Sequence, residues 1–130
     1  MTYNSNLSMA DMDRLLSYLD YFQDPDSVFG FEANGYMCQS QEVRNFCITL
    51  DDIGFLLVFN WHEWLTQHEA YKDLDHPIAS SLVNADLDTL RKLMTSYIRG
   101  DRFNEGLFIE VCRKGHIASI LLRLRELRDA

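Results

Sequence analysis

Proline and glycine are scarce in this chain, two and six respectively in 130 residues. No low-complexity segment, internal repeat or linker can be built from so few, and none is present. A glycine-rich phosphate loop is missing as well, because Gly30 and Gly35 stand isolated. The three cysteines, Cys38, Cys47 and Cys112, are odd in number and show no C-x-x-C spacing. A disulfide framework is therefore not expected, and reduced thiols in a cytoplasmic protein are. No apolar run approaches the roughly 20 residues that span a bilayer. Met1 to Asn6 lack the basic and apolar regions of a secretory signal, so neither a membrane nor export is expected.

Positive charge is what the first two thirds lack most. Residues 1–88 carry fifteen carboxylates and three cations, whereas residues 89–130 carry five and nine, for a net −8 overall. If the halves separate in space, the surface has a dipole that can steer a charged partner. If they pack together, they neutralise each other. The acidic half would repel phosphate, so direct nucleic-acid binding is not expected.

What is present is ordinary globular material, 47% hydrophobic and 25% charged, enough for one domain with its own core. The expected fold is mainly α: a single compact domain over 1–130 of about six helices, with at most a short strand or hairpin. Residues 1–7 are expected to be a flexible N-terminus. Ser8-Met9-Ala10-Asp11 starts a helix whose apolar positions run from Met9 to Phe22 and which stops at Asp24-Pro25. Residues 25–40 read as a loop or short irregular strands. Val43, Phe46, Cys47, Leu50 and Ile53 line a second helix, with Gly54 as its C-terminal cap. The run Phe55 to Phe59 is either a buried strand or part of a buried helix, because periodicity alone does not separate them.

Asn60 then caps a helix that buries Trp61, Trp64 and Leu65 and frays near Tyr71. Pro77 opens a short helix through Val83. Asp86 caps a helix with Leu87, Leu90, Leu93, Met94, Tyr97 and Ile98 on one stripe. Phe103, Leu107, Phe108, Val111 and Cys112 mark another, ended by Gly115. The last runs from His116, with Ile117, Ile120, Leu121, Leu124 and Leu127 inward and Arg123, Arg125 and Arg128 toward its C-terminal end. Leu93, Phe108, Ile120 and Leu124 are expected to be buried where the last three helices meet.

Few residues point to chemistry. His62-Glu63 resembles the start of a zinc-protease motif, but that motif needs a second His four residues on, and position 66 is Thr. His68 lies six residues on, about 240° round a helix. No metal and no cofactor is expected. Cys47 and Cys112 fall on apolar stripes and read as inert core thiols. Ser80 and Ser81 lie in no nucleophile-elbow pattern.

The stretch from Ile98 to Gly106 is the richest in charge. It holds Arg99, Asp101, Arg102 and Glu105 between two helical segments, centred on the aromatic Phe103. In one reading the arginines grip an anionic ligand while Asp101 or Glu105 orients it or acts as a base. In the other the charges pair among themselves, Arg102 with Glu105 one turn on at a helix start. Trp61 and Trp64 read as core, or as part of a partner surface if an indole is exposed.

Phe59-x-Trp61-x-x-Trp64, then Ala85-Asp86-Leu87-x-x-Leu90-Arg91-Lys92-Leu93, then Ile98-Arg99-Gly100-Asp101-Arg102-Phe103-x-Glu105-Gly106 resemble a group of small bacterial proteins classed as a domain of unknown function. The resemblance runs from about residue 12 to residue 128, and the Arg-Gly-Asp-Arg-Phe-x-Glu-Gly segment is its most specific part. Its members often carry Cys at the position of Asn104, so thiol chemistry there is not expected of this chain. The resemblance implies no activity, cofactor or substrate. The reading that results is a bacterial cytoplasmic interaction or regulatory module with a protein partner, self-association included, and no catalytic constellation. A small enzyme or binding protein for an anionic ligand at the Arg99–Glu105 hinge is the alternative. An acidic inhibitor of a nucleic-acid-binding protein, from a phage or mobile element, is the third.

Overall fold

The computed structural model describes residues 7–130, and they form one mainly helical domain. The expected flexible stretch 1–7, Leu7 apart, lies outside the described residues. In chain order the elements are α1 (Met9–Leu16), α2 (Leu19–Gln23), β1 (Gly30–Ala33), β2 (Tyr36–Gln39), α3 (Gln41–Asp52), α4 (Trp61–Thr66), α5 (Glu69–Lys72), a 3-10 turn (Ala79–Leu82), α6 (Leu87–Gly100), α7 (Leu107–Arg113) and α8 (His116–Asp129). Helix α8 is the hub, touching α1, α2, the 3-10 turn, α6 and α7. Leu93, Phe108, Ile120 and Leu124 are buried at that junction, as the apolar stripes predict.

Side chains at the N-cap fix the starts of α1, α3, α4 and α6. Ser8 and Asp11 form a reciprocal capping box, with Ser8 Oγ accepting from the Asp11 N–H at 3.0 Å and Asp11 from the Ser8 N–H at 3.2 Å. Ser40, Asn60 and Asp86 accept from the N–H groups of Val43, Glu63 and Thr89. Gly54, in the left-handed region (φ 69°), follows α3 as expected.

The helices exceed the expected number because two are broken. The apolar stripe from Met9 to Phe22 is one pattern but two helices, α1 and α2. Ser17 Oγ donates back to the Arg14 carbonyl at 2.7 Å, and the Tyr18 hydroxyl meets Thr49 Oγ1 at 3.1 Å, so the turn is held by hydroxyls that compete with the helical ladder. The helix after Asn60 breaks at His68, whose Nδ1 lies 2.6 Å from the Trp64 carbonyl oxygen.

Residues 55–59 are neither strand nor helix. They form an irregular segment against α6, with bends at Leu56 and Phe59, Phe55 and Leu57 buried and Val58 exposed. Their backbone finds its partners in α6 side chains. Arg91, 3% exposed, donates through Nε to the Phe55 carbonyl at 2.9 Å and through a terminal nitrogen to the Gly54 carbonyl at 2.7 Å. Thr95 Oγ1 accepts from the Leu57 N–H at 3.0 Å while donating to the Arg91 carbonyl at 2.7 Å. A buried loop needs such partners for its polar groups.

The irregular stretch 25–40 contains an antiparallel hairpin pairing Gly30 with Gln39 through Ala33 with Tyr36. Asn34 and Gly35 form its two-residue turn with φ of 52° and 80°, the dihedral signs of a type I′ turn. The hairpin lies against α7, where a Cβ on Gly30 would come 2.5 Å from Ile109 Cδ1. The acidic and basic parts of the chain pack together rather than apart. Arg128 pairs with Asp13 and Lys114 with Asp75, both at 2.6 Å.

Candidate functional site

The hinge between α6 and α7 is a run of turns, not the start of a helix. Phe103 N–H donates to the Gly100 carbonyl at 3.0 Å and Asn104 N–H to the Asp101 carbonyl at 3.4 Å, and α7 begins only at Leu107. The expected helix from Phe103 is therefore shorter by a turn. The reason lies at Gly106, whose φ of 86° interrupts the helical path before Leu107. Gly106 offers no capping side chain, and Asp101 supplies the cap from upstream, its Oδ1 accepting from the Phe108 N–H at 3.0 Å. A carboxylate there also meets the positive end of the helix dipole.

This geometry separates the four hinge charges. Asp101 is half-buried and engaged by the α7 backbone. Arg99 is half-buried in the last turn of α6, and Arg102 and Glu105 are exposed. Among the described residues none of Arg99, Arg102 and Glu105 belongs to an ion pair. The expected Arg102–Glu105 pair is not formed, because the two do not share a helical turn. Glu105 instead lines a shallow cleft of about 320 Å³ with Asp75, Glu110 and Lys114.

The tryptophans separate too. Both are half-buried rather than buried as expected. Trp64 is enclosed in a column of rings, stacked on His68 at 4.3 Å and Tyr71 at 5.7 Å with Phe59 edge-on at 6.2 Å. Trp61 faces the hinge. Its ring stacks on Phe103 with centroids 6.1 Å apart and planes at 30°, and His62 stands edge-on at 5.6 Å. Trp61, His62 and Phe103 line an open, mainly apolar cleft of about 380 Å³. Phe103 is 81% exposed, the most exposed large apolar side chain among the described residues. Gly100 lies beneath the corner, where a Cβ would stand at ordinary contact distance, 3.8 Å, from Trp61 Cζ3 but only 2.9 Å from Leu107 Cδ2, so it is Leu107 that the glycine accommodates.

Sequence reasoning placed Trp61 and the hinge in separate candidate sites and assigned Phe103 to a helix core. Its signal was its setting, one large aromatic between Arg102 and Asn104 with no apolar neighbour. His62 belongs to this corner and His68 to the Trp64 column. Among the described residues no three His, Cys, Asp or Glu side chains are placed to hold a metal ion. Burial pushes the Cys47 thiol up to about 12, and burial raises Cys112 further, so both stay protonated near neutral pH.

The elements define a small, mainly helical domain whose surface carries an aromatic corner, on the same hinge as two arginines without ion-pair partners. The chain belongs to a family of unknown function, DUF6508, whose profile matches residues 7–130. The resemblance drawn from residues 12–128 thus holds at the level of a family without an assigned activity. No curated protein and no solved structure matches the chain. Among the described residues no helix is long and apolar enough to cross a membrane.

Proposed function

We propose that this chain is a bacterial cytoplasmic protein-interaction module that engages its partner through the Trp61–Phe103 corner, with Arg99 and Arg102 beside it. One observation carries the reading: a large aromatic side chain, 81% exposed, is held in place on a structured turn and stacked on a second ring. Exposed apolar side chains scattered singly are ordinary surface, whereas a contiguous aromatic cleft on a hinge that also carries two arginines has the composition of an interface centre.

A partner-capture experiment tests this. Wild-type protein and Phe103→Ser are used as parallel baits, with the melting temperature of each recorded. The wild type is expected to retain a protein that Phe103→Ser loses while melting at the same temperature. Identical capture by both sinks the reading. The anionic-ligand alternative draws on the same unpaired Arg99 and Arg102. Asp101, however, already accepts a backbone N–H, which makes it a poor general base. Arg102→Ala is expected to leave the melting temperature unchanged under either reading, since the side chain is exposed and unpaired.

A further inference from the structure

The corner's electrostatics narrow the kind of partner, on the reading that it is an interaction surface. Twenty carboxylates and twelve cations give each basic side chain ample choice of partner. Among the described residues seven of the twelve are in ion pairs, and Arg91 is bound to backbone carbonyls. Only four are left, and two of them, Arg99 and Arg102, sit three residues apart on the hinge that presents Phe103. Their planar guanidinium groups are suited to bidentate pairing with carboxylates, and nothing in the fold uses them so.

We infer that the Trp61–Phe103 cleft takes one apolar or aromatic side chain from an acidic segment of a partner protein, whose flanking carboxylates pair with Arg99 and Arg102. The apolar cleft supplies the anchor and the arginines supply register. A long polyanion is disfavoured, because its many phosphates would meet the field of a chain at −8. A short segment with carboxylates only beside its anchor meets the charges of the hinge alone, since those beyond about 8–10 Å are screened at physiological salt; of the hinge carboxylates, Asp101 is already engaged by the α7 backbone and Glu105 lines a separate cleft.

Fluorescence anisotropy on the full chain tests the inference with labelled short peptides in which one Trp, Phe or Leu is flanked by Asp and Glu. Controls carry Ser at the anchor or Lys flanks, and a labelled oligothymidine represents single-stranded nucleic acid. Acidic anchored peptides are expected to bind, more weakly as salt rises. The Ser-anchor peptide, Phe103→Ser and Arg102→Glu are each expected to lower affinity about tenfold or more, at an unchanged melting temperature. Equal or tighter binding of the Lys-flanked peptide or of oligothymidine overturns the acidic occupant. So does patch-dependent self-association, seen by light scattering and lost in Phe103→Ser. If no acidic anchored peptide binds while the capture experiment still depends on Phe103, the surface stands and the acidic occupant is wrong. If capture is also indifferent to Phe103, the surface itself falls.

Discussion

The imidazole of His116, 1% exposed at the first position of α8, sits between two parts of the chain that the sequence keeps far apart. Its Nδ1 lies 2.8 Å from the Tyr97 hydroxyl and its Nε2 lies 3.2 Å from the His76 carbonyl oxygen. The Tyr97 hydroxyl is also 3.3 Å from the Tyr71 carbonyl, so one cluster ties α6, α8 and the segment after α5 together. Burial lowers the pKa of His116, against the opposing pull of the His76 and Leu74 carbonyls and of Asp73. The unfolded chain therefore takes up its proton first, near pH 6.5. Above that pH both states are neutral and the stabilisation is complete. As pH falls through about 6.5 toward the lower folded value, the unfolded state gains the proton and stability is lost. The urea midpoint of the wild type is expected to drop more from about pH 8 to about pH 5 than that of His116→Gln. Parallel curves for the two proteins would show that His116 carries no proton linkage.

At the scale of elements, the contrast between α6 and the segment it holds shows what apolar patterning conveys. Helices α3, α6 and α8 were legible because a stripe at helical spacing, a capping residue and a glycine or chain end agree at each. Residues 55–59 were not, because their state depends on Arg91 and Thr95, nearly forty positions away. Arg91→Ala removes hydrogen bonds to two carbonyls in a water-poor site and is expected to cost about 2–4 kcal/mol. Arg91→Lys keeps the charge but not the fork, so it should recover only part of that loss. A measured cost for Arg91→Ala below about 0.5 kcal/mol would mean that Phe55 and Leu57 hold the segment unaided. The hairpin is a different case. Asn34-Gly35, the dipeptide that most favours a type I′ turn, lies between Phe31 and Tyr36 and closes the hairpin within the stretch that reads as a loop or short irregular strands.

For the whole molecule, stability converges on α8, which every other long helix except α3 touches extensively. Leu124, fully buried on its inner face, is expected to cost about 2–5 kcal/mol when cut to Ala, read as a shift in denaturation midpoint at unchanged slope. A loss under about 0.5 kcal/mol would put α8 at the margin of the core instead of its centre. Phe103→Ser, at the same scale, should leave that midpoint where it is, since the ring contributes surface rather than core.

The sequence by itself determined the class of fold, the caps of α1, α4 and α6 and the core stripe of α8, because these rest on spacing within one segment. It also marked the hinge as the place where charges and an aromatic gather. Tertiary structure alone decided how that gathering is arranged. It put Trp61 of α4 against Phe103 and turned Asp101 inward to cap α7. It left Arg99 and Arg102 without ion pairs in a chain rich in carboxylates. Whether two side chains forty residues apart meet depends on how helices pack, and no periodicity within either segment encodes that distance.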